Sequence, residues 1–150
     1  NFNPDGTIQK VIPTLRGVGL TNARSRIQID RYSALQGKGI GIEYLDKNNC
    51  FAGWKTLFSK SNTALIYNKV DFGNEKVAEI TVRAKSSKGG VLVVRADGKK
   101  GNIIAKVKIP ESAGWKNIRA QVLHAPQGVH ALHVSLQSGA DVEVDWLGFI

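Results

Sequence analysis

Apolar and polar side chains alternate with a period of two residues over most of this chain, and that pattern commits it to strands. Residues 40–44, 77–84, 91–96, 103–109, 131–136 and 142–147 either alternate or run β-branched, and nowhere do apolar residues recur at helical spacing for three turns. Clusters of Gly, Ser, Pro and Asp cut these runs at short intervals, at residues 86–90, 96–101, 110–114, 126–128 and 138–141. A strand of period two buries one face only, so a set of such strands needs a second sheet to close its core. The expectation is an all-β fold, a β-sandwich of eight to ten short strands in one domain, since 150 residues suit a single core. The Gly37-Lys38-Gly39 stretch reads as a bend between strands. Residues 1–23 differ: Asp5-Gly6-Thr7 is a turn signal, residues 8–12 a short strand, and Pro13 breaks it. They are read as a lead-in segment or linker, with the folded module over residues 24–150.

Composition narrows the partners. The chain is 42% hydrophobic and 22% charged, which is globular, and no apolar run approaches the roughly 18–20 residues of a membrane helix, so no membrane partner is expected. Twenty-one Lys and Arg against 12 Asp and Glu give a formal charge of +9, favouring anionic partners. Nucleic acid is not expected among them, because no recognition helix and no ribonucleoprotein-type aromatic signature accompanies the charge. Cys50 is the single cysteine, read beside Phe51 as a small buried hydrophobe, and no Cys-x-x-Cys spacing exists to hold zinc. The chain contains no Met, which reads as a processed or excised piece, with any signal peptide upstream.

Catalytic chemistry is thinly supplied. Of His124, His130 and His133, the last alternates with Leu132 and Val134 and so faces outward from a strand. Glu143 and Asp145 stand two apart on one strand face, whereas glycosidase carboxylate pairs come from different strands. The glycines at 37, 39 and 41 lack the lysine and following helix of a phosphate loop. No enzyme activity is expected of this chain.

Five short stretches, in order, carry a resemblance: Arg26-Ile27-Gln28-Ile29-Asp30-Arg31-Tyr32-Ser33, then Val70-Asp71-Phe72-Gly73, Gly114-Trp115, Gly128-Val129-His130 and Asp145-Trp146-Leu147-Gly148-Phe149. Over residues 24–150 the chain resembles carbohydrate-binding modules of family 6. That resemblance implies a jelly-roll, galactose-binding-domain-like sandwich and a non-catalytic role in binding plant or algal polysaccharide. Sugar rings stack their C–H faces on flat aromatics while their hydroxyls take oriented polar partners. By resemblance Trp115, expected in a loop, is the stacking tryptophan; Trp54, in what looks like the family's Gly-aromatic turn, is the opposing aromatic, with Phe58 second. Glu143 stands where the family has a sugar-binding Asn, a change that favours a different hydroxyl pattern or a lysine partner. Trp146, among Val142, Val144 and Leu147, is read as core.

Gln28, Asp30 and Asp145 match the family's structural calcium position, with Asp30 one methylene shorter than the usual Glu; the alternative is an Asp pair bonded to Arg24 or Arg26. Residues 3–14 resemble the C-terminal edge of family 43 glycoside hydrolase catalytic domains, which implies an upstream hydrolase domain in the same polypeptide and a secreted, periplasmic or cell-surface location. The competing expectation is a structural accessory sandwich that packs on its catalytic domain and binds no sugar.

Overall fold

The computed structural model describes residues 19–150. The turn and strand expected within residues 5–12 lie outside the described residues. Twelve strands form: β1 (Thr21–Asn22), β2 (Ile27–Gln28), β3 (Ala34–Gln36), β4 (Ile40–Asp46), β5 (Asn49–Phe58), β6 (Thr63–Asp71), β7 (Glu79–Ser86), β8 (Gly90–Ala96), β9 (Ile103–Ile109), β10 (Ser112–Gln121), β11 (Val129–Gly139) and β12 (Val142–Phe149). No helix occurs among the described residues.

The strands make two six-stranded sheets. The first runs β1-β6-β11-β8-β9 with β3 beside β6, and the second runs β10-β7-β12-β5-β4 with β2 beside β12. Alternation decides the two faces of each strand. Along β11, Leu132, Val134 and Leu136 are buried in the common core, while His133 and Ser135 point to the outer side of the first sheet. Phe72 and Phe149 meet edge to face at 5.0 Å between centroids and help close one end of the core. Gly37 and Gly39 take φ of +87° and +104° in the bend between β3 and β4, a conformation that a side chain at either place would strain.

Two expectations shift. The sandwich begins inside the supposed lead-in, because Thr21 and Asn22 pair in parallel with Val70 and Asp71, and Ala23 is fully buried. Cys50 is not a buried hydrophobe: it lies exposed on β5 beside the almost wholly exposed Phe51.

Candidate functional site

Register places the side chains that matter. β12 pairs with β7 through Val144–Ala84 and then Trp146–Arg83, so β12 advances two residues while β7 advances one. Asp145 is the extra residue of this bulge. Before it, the even-numbered Val142 and Val144 face the core; after it, the odd-numbered Leu147 and Phe149 do. Trp146 is thereby turned to the outer face, where it is half-buried, and the expectation that it is core is corrected.

A groove of about 510 Å³ lies on this outer face of the second sheet. Trp54, Trp146, Arg83, Asn117 and Asp145 line it together with Arg26, Gln28 and Asp30. The strand that carries Gln28 is held by two strand pairings and two hydrogen bonds. Gln28 and Ile27 pair with Trp146 and Leu147, the Ile29 N–H donates to the Asp145 carbonyl at 3.0 Å, and the buried Tyr67 hydroxyl donates to the Ile29 carbonyl at 2.6 Å. Residues 26, 28 and 30 then share one side by strand alternation.

The aromatics are not placed as expected from sequence. Trp115 is in strand β10, not a loop, at an irregularity between Ser112 and Lys116. Its ring is half-buried over two cations, with the Arg83 guanidinium at 5.1 Å and the Lys85 ammonium at 5.3 Å from the centroid. Arg83 thus joins Trp115 to the groove. Trp54 lies within β5, 42% exposed, and stacks on Tyr44 of β4 at 4.3 Å. Phe58, the second candidate for the opposing aromatic, is excluded: it pairs with the core-facing Val142 and is 0% exposed, so no sugar reaches it.

Glu143 faces outward and is held by two lysines. It accepts a hydrogen bond from Lys55 and lies 3.3 Å from Lys85, while Lys55 also reaches Glu43 at 3.3 Å. Burial works against the Lys55 ammonium, but Glu143 and then Glu43 outweigh it, and its pKa is raised.

The three expected calcium residues, Gln28, Asp30 and Asp145, do line one groove. Asp145, only 6% exposed, is however bound by the Arg83 guanidinium, not by Arg24 or Arg26. A hard cation wants six to eight oxygens, whereas here a fixed positive group already sits on the central carboxylate. Among the described residues no group of three or more His, Cys, Asp or Glu gathers, in this groove or outside it. As they stand, these residues do not fit a calcium site.

Sequence reasoning missed Arg83, Lys85 and Asn117 as parts of this surface, and named Arg26 only as a partner for the Asp pair. A signal for two of them was present, because Arg83 and Lys85 alternate with the apolar Val82 and Ala84 and had to face outward.

Comparison with known proteins adds to this geometry. Residues 33–150 match the family model described as carbohydrate binding module (family 6). No curated protein sequence matches the chain. Among solved structures it is similar to the module CsCBM6-3 from Clostridium stercorarium in complex with cellobiose, at 20% identity and a TM-score of 0.77 over 87% of this chain and 96% of that one. It is also similar to a family 6 module from Clostridium cellulolyticum in complex with xylose, at 24% identity and a TM-score of 0.75 over 87% and 99%. A glycoside hydrolase family 43 arabinoxylan arabinofuranohydrolase from Bacillus subtilis, in complex with cellotetraose, is similar over 99% of this chain but only 32% of its own, at 21% identity and a TM-score of 0.77.

Proposed function

This chain belongs to carbohydrate-binding module family 6, a non-catalytic class, and from that membership we propose that it binds its polysaccharide or oligosaccharide on the outer face of the second sheet. One observation carries this reading: Trp54 and Trp146 line one groove, and Arg83 of the same groove lies over the ring of Trp115. Aromatic faces there meet sugar C–H faces, and Asn117, Gln28, Asp30 and the arginines at the rim meet hydroxyls. The groove volume of about 510 Å³ lies within the range of small-molecule sites.

The wider setting is part of the same proposal. The module is a segment of a secreted glycoside hydrolase of family 43 type that degrades plant or algal polysaccharide. Tethering it to the catalytic domain raises the local substrate concentration without adding chemistry. The similarity to about one third of the B. subtilis arabinofuranohydrolase supports this setting. The net charge of +9 favours polymers bearing carboxylates or sulfates. We do not extend the proposal to calcium, because Arg83 already holds Asp145.

Affinity electrophoresis against neutral and acidic polysaccharides tests the reading. Retardation by one polymer, clearly reduced in Trp115→Ala with the fold intact, is the expected result. A second reading, a structural spacer that packs on its catalytic domain, is favoured by one observation: the two lysines on Glu143 occupy the carboxylate that stands at the sugar-binding position. No retardation by any polymer would support that spacer and overturn sugar binding.

A further inference from the structure

The tryptophan groove does not end at Trp146. A second hollow of about 300 Å³ adjoins it on the same face and shares Arg26, Asn117 and Trp146 with it, while Thr81, Arg119 and Gly148 line its far side. No carboxylate side chain lines this hollow, whereas Asp30 and Asp145 line the groove.

Sheet register builds both from two neighbouring rows of residues. In the first, Asn117 on β10 pairs with Arg83 on β7, Arg83 with Trp146 on β12, and Trp146 with Gln28 on β2. In the second, Arg119 pairs with Thr81, and Thr81 with Gly148. Because Leu147 pairs with Ile27, Arg26 stands at the end of that row beside Gly148. Two residues along a strand separate the rows by about 7 Å. The second row therefore carries a long cationic side chain at each end and only a threonine and a glycine between them. The middle is kept low by necessity: a Cβ on Gly148 would lie 2.9 Å from the Ser25 carbonyl oxygen, so only glycine lets the chain entering β2 cross there.

Both end arginines are available to a ligand. Arg26 has no carboxylate partner among the described residues, and its guanidinium lies 4.8 Å from the centroid of the Trp146 ring. An arginine held on an aromatic face keeps its planar fork of N–H donors for another partner. The Arg119 side chain is 66% exposed and meets the Glu79 carboxylate at 3.4 Å, a surface pair of the kind that contributes little and yields readily to a stronger partner. Arg24, at the edge of the hollow, is committed elsewhere: it donates to the Glu75 carbonyl at 3.1 Å and lies 3.6 Å from the Glu75 carboxylate.

We propose that this hollow is the anion subsite of the tryptophan groove: a saccharide lies across Trp54 and Trp146, and a carboxylate or sulfate ester that it carries is held between Arg26 and Arg119. The proposal rests on the groove reading and adds to it the substrate class, an acidic polysaccharide, with the residues that select it. Guanidinium forks match the paired oxygens of either anion, and charge-assisted bonds of this kind are the strong ones. A nucleic acid fits less well. It needs a track of cations along its phosphates, whereas two carboxylates, Asp30 and Asp145, line the groove itself.

The test uses the full chain and two matched pairs of oligosaccharides: xylotetraose with and without a glucuronic acid branch, and a galactan tetrasaccharide with and without a sulfate ester. Isothermal titration gives the affinities, and indole fluorescence reports occupation of the groove. Expected is at least about tenfold tighter binding of the charged member in at least one pair. The pair that responds tells carboxylate from sulfate; a response in both shows the shared anion chemistry. In Arg119→Gln the charged-over-neutral preference should shrink about fivefold. It should stay unchanged in Lys100→Gln, which removes the same charge from an exposed turn of the first sheet. Arg119 is exposed on the edge strand β10, so its replacement leaves the fold in place. Equal binding of charged and neutral members with an indole response, an unchanged preference in Arg119→Gln, or an equal loss in Lys100→Gln would overturn the anion subsite and leave the groove reading standing. A DNA tetranucleotide that binds as tightly as the charged sugar would overturn it in favour of general polyanion binding. No indole response to any of the four sugars would overturn the groove reading itself, and the subsite with it.

Discussion

The Glu143 carboxylate accepts a hydrogen bond from the Lys55 ammonium across the pairing of β12 with β5, in the middle of the sheet face that carries the tryptophans. Lys85 stands on the other side of the same carboxylate at 3.3 Å and places its ammonium over Trp115. One acidic side chain thus holds Lys85, one of the two cations on which the Trp115 ring rests. The Glu143 charge therefore acts on this face through both Lys55 and Lys85, not through a single hydrogen bond.

Removing that charge should destabilise the sandwich. Glu143→Gln leaves the buried Lys55 with Glu43 alone, and since the pair keeps some solvent access the loss is about 1–2 kcal/mol, below that of a fully buried pair. Because the folded-state pKa of Lys55 is raised, its contribution is fully present below the ordinary value of 10.5 and lost as pH rises through the folded value. Urea unfolding at pH 7 and pH 11 measures both. The wild type should begin to lose the increment at the higher pH, which lies above the ordinary value, and an equal midpoint for variant and wild type at pH 7 would contradict the assignment.

Trp115→Ala should weaken binding to the preferred polysaccharide about tenfold, or about 1.4 kcal/mol, while the unfolding midpoint moves little. The ring is half-buried at an irregular stretch of β10 rather than packed in the core, which is why fold and function separate here. Isothermal titration beside thermal unfolding decides the matter. Unfolding of the variant would instead make Trp115 a structural residue.

Calcium should matter little to the wild-type fold. Arg83 supplies the positive charge that Asp145 needs, so melting in millimolar calcium and in chelator should agree within about 1 °C. Arg83→Gln, by contrast, strands a carboxylate that is 6% exposed and should cost about 2–4 kcal/mol. A chelator-induced fall of several degrees in the wild type would show that calcium displaces Arg83.

The His130 ring donates to Asp97 Oδ2 over 2.8 Å and to the Gln127 carbonyl over 2.9 Å, pinning the β8–β9 turn to the start of β11. The hydrogen bond to Asp97 raises the histidine pKa from 6.5, and the same bond lowers that of Asp97 from 3.8. The histidine contribution is full below its unfolded value and lost as pH rises through the folded one; the Asp97 contribution is present above its unfolded value and lost on acidification. The clamp is therefore strongest between about pH 4 and 6.5 and, being largely solvent-exposed, is worth about 0.5 kcal/mol. Comparing His130→Gln with wild type by thermal melting at pH 5.5 and 8 should show the larger difference at pH 5.5.

What the sequence determined by itself was the class of fold and the family. Strand periodicity is local chemistry, so β9 over Ile103–Ile109 was legible residue for residue, and β4, β7, β8, β11 and β12 to within a few positions. Ordered motifs from Gln28 to Phe149 were enough to point to family 6. Strands β5, β6 and β10 were not legible as strands, because polar runs such as Asn49-Cys50 and Lys116-Asn117 break the alternation while cross-strand hydrogen bonds still hold them in the sheets.

Only the tertiary structure decided which side chains meet at the site. Period-two reasoning assumes an unbroken pleat, and one extra residue reverses every face beyond it. The Asp145 bulge put Trp146 in the groove, whereas the regular pairing of Phe58 with Val142 put a ring expected at the surface into the core. Long-range partners lie beyond local pattern for the same reason: Lys55 and Lys85 are 88 and 58 residues from Glu143, and Arg83 is 62 from Asp145, and only sheet register brings them into contact.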